Sequence, residues 1–401
     1  MTSPHARETT ARRVLLGCLA LAVGAAAWLP CLRLLYSDAT AEHFGAEGVP
    51  RKARRMAAYH LRLWSEPALR QRELEKMRGS NAEWDFMGRT FLVLSLSNVA
   101  LRDPGSRRQA LEVIDGIIDE TLRLESEEGP YVFLMPYARA RPFVMRPARS
   151  QFLDGEIALM LAARRLVEEK ESYKEPLAER VTAMAERMRA SPVLCAESYP
   201  DECWTFCNTI ALAAIRMADV LDGTDHSQLL RDWVATARER LVEEKTGMLI
   251  SGFTLHGRVL HGPEGTTIWA VSHFLQLIDE GFAADQYRRA KRELARTALG
   301  FGYSREWPPS WQGGWMDIDS GPVLPVLGAS ASASGLACIG AAAFGDADYL
   351  GDLMASLNLG GFPMQRDGGL KFAASNQVGD AVVLYAMTLG PLWQRVKERG
   401  P

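Results

Sequence analysis

The sequence predicts an all-α protein built as an (α/α)6 toroid, a ring of six inner helices surrounded by six outer helices. Strongly apolar helical segments alternate along the chain with amphipathic ones, and a helix that is apolar on every side must be buried on most sides. The apolar segments begin at irregular intervals, near residues 89, 153, 205, 266, 330 and 376. This spacing excludes a solenoid of short identical repeats.

Each inner helix but the last is followed by an amphipathic partner. Thr205–Leu221 is the clearest inner helix, and Gln228–Glu243 follows it with apolar residues at helical spacing and charges between them. The sixth apolar helix, Asn376–Leu389, lacks a partner, so we predict that the spare amphipathic helix around Arg51–Arg78 closes the ring. The other pairs are predicted at Arg89–Leu101 with Ser106–Leu124, Leu153–Val167 with Glu175–Ala190, Thr266–Ile278 with Ala284–Leu299, and Ser330–Phe344 with Ala347–Leu357.

The first residues of the chain are typical of an export signal or a single membrane anchor. Arg12 and Arg13 precede the uninterrupted apolar run Val14–Leu29, and Pro30 ends it. Basic residues before an apolar run orient such a helix with its start in the cytoplasm. We therefore predict a signal or transmembrane helix over residues 1–36, cleaved or retained, and a single toroid domain over 50–396 on the outer, periplasmic side of the inner membrane.

The charge balance bears on the class of partner. The formal net charge is −3 and the isoelectric point is near 6.2, and the basic residues are scattered among acids. Nucleic-acid binding is therefore not expected. A small-molecule substrate is the predicted partner, the N-terminal helix is the predicted contact with a membrane, and the oligomeric state is left open, a homo-oligomer included.

Three cysteines, Cys195, Cys203 and Cys207, cluster at the start of the clearest inner helix. A thiol near a helix N-terminus can have a lowered pKa and act as acid, base or nucleophile. The alternatives are a disulfide, which an exported protein permits, and inert buried thiols. Neither a CxxC nor an HExxH pattern occurs, so no metal site is predicted.

The irregular segments of the chain all precede inner helices, so they gather at the end of the ring where six helix N-termini point. Such an end favours anionic groups or developing negative charge. It therefore holds the predicted site. The candidates there, besides the cysteines, are Asp85, Tyr131, Tyr137, Trp204, Asn208, His256, Trp315, Asp317 and Asp319.

The acids in these segments have competing interpretations. Asp317 and Asp319 follow Trp315 and can serve as the two carboxylates of a glycoside-processing enzyme, but Asp319 also begins a good turn. Asp85 is by default a helix N-cap. Asp154 and Glu156 lie roughly 200° apart around one helix, so they are not expected to face one substrate together.

Several features of the sequence together point to a known family: Cys195, Cys207 with Asn208, the segment GMLISGF after an outer helix, the leader and the toroid pattern over about 80–393. In these features the sequence resembles the linalool dehydratase/isomerase family. The resemblance implies a cofactor-free (α/α)6 enzyme of the bacterial periplasm. In that family two cysteines, an aspartate and tyrosines surround a terpene alcohol. By position Cys195 and Cys207 match the cysteines, with Cys203 a competing match, and Asp85 matches the acid.

The leading hypothesis is an exported or membrane-anchored lyase or isomerase that acts on a small, apolar, terpenoid-like alcohol. Asp85 and a thiol at Cys195 or Cys207 would share acid–base catalysis in a pocket shaped by aromatic side chains. One alternative is a carbohydrate-active toroid, a hydrolase, lyase or epimerase that uses Asp317 and Asp319. The other is a non-catalytic anchored scaffold with structural cysteines.

Overall fold

The structure is a computed structural model that describes residues 4–39, 42, 48–311, 313 and 321–399. Trp315, Asp317 and Asp319 lie outside these residues. Most of the described chain is helical. The helices are α1 (Pro4–Tyr36), α2 (Arg51–Ser65), α3 (Pro67–Ser80), α4 (Ala82–Arg102), α5 (Arg107–Glu128), α6 (Gln151–Val167), α7 (Lys174–Ala190), α8 (Thr205–Asp222), α9 (Ser227–Arg240), α10 (Gly265–Phe274), α11 (Glu280–Leu294), α12 (Ala331–Ala343), α13 (Ala347–Gly360), α14 (Gln377–Thr388) and α15 (Pro391–Arg399).

The inner helices form a closed ring. Each of α4, α6, α8, α10, α12 and α14 packs against the next, and α14 packs against α4. The helices α5, α7, α11 and α13 pack outside the inner helices that precede them, and α2 packs outside α14. The predicted (α/α)6 toroid is confirmed, including the closure of the ring by the N-terminal amphipathic helix. We call the end where the inner helices begin the mouth and the opposite end the base.

Short strands precede four of the inner helices, α8, α10, α12 and α14. In the first sheet β2 pairs with β3 as a small hairpin within residues 247–261. All strand pairs are antiparallel. The sheets are β1 (Cys203–Trp204), β2 (Gly252–Phe253) and β3 (Val259–His261) in that order; β4 (Ala295–Ala298), β5 (Phe301–Arg305), β6 (Val323–Leu324) and β7 (Ala329–Ser330) in the order β4-β5-β7-β6; and the hairpin of β8 (Pro363–Arg366) with β9 (Gly369–Phe372).

Two predicted elements differ from the structure, and one helix was not predicted. The helix predicted over Ala284–Leu299 ends at Leu294, because the next four residues pair with β5. The helix predicted around Arg51–Arg78 is divided at Pro67, which cannot continue a helix from the preceding turn. A further helix, α15, follows the last inner helix, buries Leu392 and Trp393, and contacts α4, α6 and α8 at the base.

One helix is long and apolar enough to cross a membrane within the part of the chain that the structure describes. It is the Ala11–Tyr36 portion of α1, and a signal sequence near an N-terminus meets the same description.

The inner helices α6 and α8 approach each other closely at Gly155. A Cβ atom at Gly155 of α6 would lie 3.2 Å from the amide nitrogen of Ala211 and 3.3 Å from the carbonyl oxygen of Cys207, both on α8. The two helices therefore pack backbone to backbone at this point. This contact fixes the position of Cys207 relative to the second turn of α6.

Replacing Gly155 by valine should destabilise the fold by roughly 1–3 kcal/mol, because the added atoms push α6 and α8 apart. Gly116→Ala is the matched control. Gly116 also lies inside a helix, and nothing is within 4 Å of its added Cβ, so alanine should stabilise by roughly 0.5–1 kcal/mol. Denaturant unfolding measures both. A Gly155→Val protein as stable as the unchanged chain would contradict the close contact.

Candidate functional site

The first turns of α6 carry two acids that point in opposite directions, as their spacing predicts. Asp154 faces the outer layer, where Nη1 of Arg180 on α7 donates to its Oδ1 at 2.7 Å. Glu156 faces α4, where the hydroxyl of Thr90 donates to its Oε2 at 2.6 Å. Asp154 is therefore part of the ion pairs that hold α7, and Glu156 belongs to the inner ring.

Glu156 is a buried carboxyl group with spare hydrogen-bonding capacity. Its side chain is almost completely inaccessible, and its Oε1 has no hydrogen-bond partner among the described residues. Burial raises the pKa of Glu156 to about 8; the bond from Thr90 opposes this shift, and the charge of Glu83 adds to it. Glu156 is therefore mostly uncharged at neutral pH and can donate a proton.

The surroundings of Glu156 are aromatic. Phe86 lies one helical turn before Thr90 on α4, and Phe152 lies one turn before Glu156 on α6. Their rings meet edge to face with centroids 5.1 Å apart, and Phe86 also stacks on Phe133 at 4.6 Å. The Thr90–Glu156 pair thus lies below an aromatic cover on its mouth side. Such a cover excludes water and accounts for the raised pKa.

Cys207 lies on the same side of the ring. It is the third residue of α8, next to the contact of Gly155 with that helix. Burial raises the pKa of the Cys207 thiol well above its usual range; a hydrogen bond with Ser198 opposes this, and the charges of Glu156 and Glu83 add to it. The expectation that the helix N-terminus lowers the pKa of a thiol here is wrong, because burial outweighs the helix dipole. Cys207 is a thiol, not a thiolate.

The other two clustered cysteines have different positions. Cys195 accepts a hydrogen bond at 3.3 Å from the indole nitrogen of Trp233, on the outer helix α9. Burial raises the pKa of Cys195 to about 12, and this bond opposes the shift. Cys203 is buried in β1. All six cysteines are free thiols, so the disulfide alternative is not supported. The structure directs Cys195 towards the outer layer, and Cys207 towards α6.

Asp85 also faces the outer layer. Its Oδ1 pairs with Nε of Arg89 at 3.2 Å, and Arg89 in turn reaches Glu120 on α5 at 3.0 Å. Burial raises the pKa of Asp85, and Arg89 opposes the shift. The default assignment of Asp85 as an N-cap is wrong, because Asn81 caps α4 by accepting from the amide of Trp84. The inner carboxyl group between α4 and α6 is that of Glu156.

Both polar atoms of the Asn208 side chain form hydrogen bonds within the protein. Its Oδ1 accepts from the amide of Ala196 at 2.9 Å, and its Nδ2 donates to the carbonyl oxygens of Ala196 and Trp204. It therefore ties the loop after Cys195 to the start of α8. The contact of Asn208 with a substrate stays a prediction, and the structure adds this positioning role.

The predicted aromatic and histidine residues are divided between the mouth and the surface. Tyr131 is half-buried against Phe143, and Trp204 is half-buried as the residue before α8, with its ring 4.7 Å from that of His261. Tyr137 is exposed and stacks on Tyr199. His256 is exposed in the turn between β2 and β3. Tyr131 and Trp204 thus remain candidates for the wall of the mouth.

Sequence reasoning missed the buried acids that the mouth contains. Burial raises the pKa values of Glu306 and Asp380 to about 7 each. Glu306 accepts from the amide of Thr266 at 3.1 Å and so caps α10, while Asp380 accepts from the amide of Phe372 at 3.3 Å and so holds β9. The sequence does contain a signal for Glu156: it is the only residue with a carboxyl group after the first turn of the apolar helix α6. No group of three or more potential metal ligands occurs within the described ranges.

The apolar inner helices form a ring around an uncharged carboxyl group and a thiol. These two groups are suited to acid–base chemistry in the apolar interior of the toroid. The chain belongs to the linalool dehydratase/isomerase family. The family model matches residues 154–378, more than half of the chain. The matched range contains Glu156, Cys195 and Cys207, and it excludes Asp85. No curated protein matches the chain.

Two solved structures are similar to the chain over most of its length. An unsaturated glucuronyl hydrolase from Bacillus sp. GL1, responsible for the degradation of glycosaminoglycan, is 13% identical with a TM-score of 0.49, over 77% of this chain and 86% of the hydrolase. A GH76 alpha-mannanase from Bacteroides thetaiotaomicron is 10% identical with a TM-score of 0.47, over 78% of this chain and 87% of the mannanase.

The raised pKa of Glu156 predicts a specific pH dependence of stability. Between its ordinary pKa of 4.5 and about 8, the unfolded chain releases the proton that the folded chain keeps. Stability is therefore full below pH 4.5, falls as the pH rises through this window, and levels off above it. Each pKa unit corresponds to about 1.4 kcal/mol.

Glu156→Gln should remove this loss. The quantity to compare is the free energy of unfolding of the unchanged chain minus that of the Glu156→Gln variant. This difference should fall by a few kcal/mol between about pH 5 and pH 8. Denaturant unfolding at several pH values measures the difference, and Glu75→Gln at an exposed position is the control. Parallel pH profiles for the unchanged chain and Glu156→Gln would show that Glu156 is ionised in the folded state.

Proposed function

We propose that the protein is a lyase or isomerase that removes or moves the hydroxyl group of a small, largely apolar alcohol by acid–base catalysis. The observation that carries this proposal is the uncharged carboxyl group of Glu156, held by Thr90 below an aromatic cover and close enough to Cys207 to affect its pKa. Membership of the linalool dehydratase/isomerase family supports the reaction class. The α1 helix is proposed to anchor the domain on the outer side of the bacterial inner membrane.

Glu156 is the proposed general acid. Thr90 occupies Oε2, so the proton of the neutral acid is available on Oε1 for the hydroxyl oxygen of the substrate. Protonation turns the hydroxyl group into water, the carbon–oxygen bond breaks with both electrons leaving on the water, and a carbocation remains. The aromatic rings of Phe86 and Phe152 stabilise a cation near their faces and exclude competing water.

Glu83 is the proposed base. It lies on α4, seven residues before Thr90 and so close to the same face of the helix, and its charge raises the pKa of both Glu156 and Cys207. In the proposed step Glu83 takes a proton from the carbon next to the cation, and the carbon–hydrogen electrons form the alkene. Return of this proton to Glu156 restores the starting state. Addition of water at another carbon of the cation gives isomerisation.

Cys207 is proposed to hydrogen-bond the departing hydroxyl group through its thiol, and Tyr131 and Trp204 to shape the mouth. Cys195 and Asp85, which were expected to be catalytic, receive positioning roles in this proposal, because they contact the outer-layer residues Trp233 and Arg89. The proposal thereby separates the two cysteines by function.

Glu156→Gln and Cys207→Ala should each lower kcat, by roughly 10²–10⁴ for the loss of general acid–base assistance, with dehydration of linalool and related small tertiary alcohols followed by gas chromatography. Cys195→Ser is the matched control, because it keeps a hydrogen-bond acceptor for Trp233. It should change kcat far less than Cys207→Ala.

Equal losses in Cys195→Ser and Cys207→Ala would contradict the separation of the two cysteines, and unchanged turnover in Glu156→Gln would remove the proposed acid. The two alternatives remain predictions with their own readouts. A carbohydrate-active toroid would cleave or epimerise oligosaccharides and be inactivated by Asp317→Asn or Asp319→Asn. A scaffold would turn over neither alcohols nor sugars.

A further inference from the structure

The end of α1 is packed along α13 in a defined direction. Nη2 of Arg33 pairs with Oδ1 of Asp352 at 2.5 Å, and the carbonyl oxygen of Tyr36 accepts from Nδ2 of Asn358 at 2.7 Å. Arg33 precedes Tyr36 on α1, and Asp352 precedes Asn358 on α13. The two helices therefore run in the same direction where they meet.

A second set of contacts fixes this arrangement. Nζ of Lys52 donates to Asp38 at 2.6 Å and to Oδ1 of Asn358 at 2.5 Å. Gly300, in the turn between β4 and β5, leaves room for the Arg33 side chain, since an added Cβ would lie 2.0 Å from its Cδ. The last turns of α1 are thus part of the folded domain.

The direction of α13 gives the position of the apolar part of α1. The α13 helix begins at the base, directly after the end of α12, and Asp352 lies five residues into it, about 7 Å above the base at 1.5 Å per residue. Because α1 runs parallel to α13, the residue five positions before Arg33 is level with the base. Its residues 11–28 project about 26 Å beyond the base, close to the roughly 30 Å thickness of a bilayer core.

Arginines of α5 and α15 lie at the base of the toroid. Arg395 of α15 donates to the carbonyl oxygen of Leu166 at the end of α6. Nε of Arg107 on α5 donates to the carbonyl oxygen of Ala100, near the end of α4, at 3.2 Å. Burial lowers the pKa of Arg395, and the charges of Arg399 and Arg107 lower it further. Arg108 follows Arg107 in the chain; its side chain is 94% exposed and pairs with Glu112 at 3.9 Å. Cations at a membrane surface attract anionic headgroups.

We propose that the base of the toroid rests on the surface of the bilayer that α1 spans, with the arginines of α5 and α15 against anionic lipid headgroups, and that the mouth opens away from the membrane. The proposal rests on the anchoring role of α1 and is independent of the catalytic roles of Glu156 and Cys207. Substrate then reaches the site from the aqueous side.

One observation favours the opposite orientation and supplies the contrary outcome of the test. Several large apolar side chains of the mouth-side segments are exposed, and a mouth that dipped into the bilayer would bury them. They are Val144, Val259, Leu324, Val326, Phe362 and Met364.

The test uses the full chain in vesicles of phosphatidylcholine and phosphatidylglycerol. Cys18 and Cys31 are replaced by serine, and the other four cysteines are buried, so a cysteine at Arg399 or Val259 becomes the only accessible labelling site. A fluorophore at the Arg399→Cys position should be quenched several-fold more strongly by nitroxide-labelled headgroups than one at Val259→Cys. Stronger quenching at Val259→Cys, or equal or absent quenching at both, overturns the proposal.

Carbonate extraction separates the possible causes of failure. If carbonate removes the chain from the vesicles, α1 does not anchor it, and the proposed orientation is then wrong as well. The kinetic effects of Glu156→Gln and Cys207→Ala do not depend on the anchor or on the orientation. The contacts with α13 are tested by Asp352→Asn, which should reduce the quenching contrast between the two labels. Asp348→Asn, one turn earlier on the same helix and exposed, is the control that should preserve it.

Discussion

The parallel direction of the six inner helices is the constraint on which the rest of the structure depends. It gathers six sets of unpaired amide groups at the mouth and six sets of unpaired carbonyl groups at the base. Side-chain caps such as Asn81 and Ser330 satisfy amides at the mouth. Arginines satisfy carbonyls at the base, where Arg107 reaches Ala100 and Arg102 reaches Leu389. The two ends of the ring are therefore chemically different for a single reason.

The same constraint explains why burial controls the ionisation of the candidate site. A helix dipole acts mainly on groups in the first turn. Glu156 is the sixth residue of α6, beyond that turn, and it lies below the rings of Phe86 and Phe152. Cys207 is within the first turn of α8, but it is pressed against α6 near Gly155 and shares its surroundings with two carboxyl groups. Desolvation therefore dominates at both residues, and each keeps its proton.

The pattern of apolar and amphipathic helices was enough to predict the ring and its closure. The strand β4 and the helix α15 were not predictable in this way, because each depends on a tertiary partner: β4 pairs with β5, and the nine residues of α15 are stable only against the ends of α4, α6 and α8. Choosing between Asp85 and Glu156 required the direction of each helix face. Arg89, four residues after Asp85, was the one signal in the sequence that pointed to an ion pair.

The contact at Gly155 divides the ring into a fixed part and an adjustable part. Because the backbones of α6 and α8 touch there, Glu156 and Cys207 cannot be moved apart without separating two helices. Gly335 of α12 has no such restriction, since it is only partly buried and an added Cβ would meet nothing nearer than Val382, at 4.0 Å. A change of side-chain volume at Gly335 can therefore alter which molecules fit while the proposed acid and thiol keep their places, so the proposed reaction can be retained while its substrate changes.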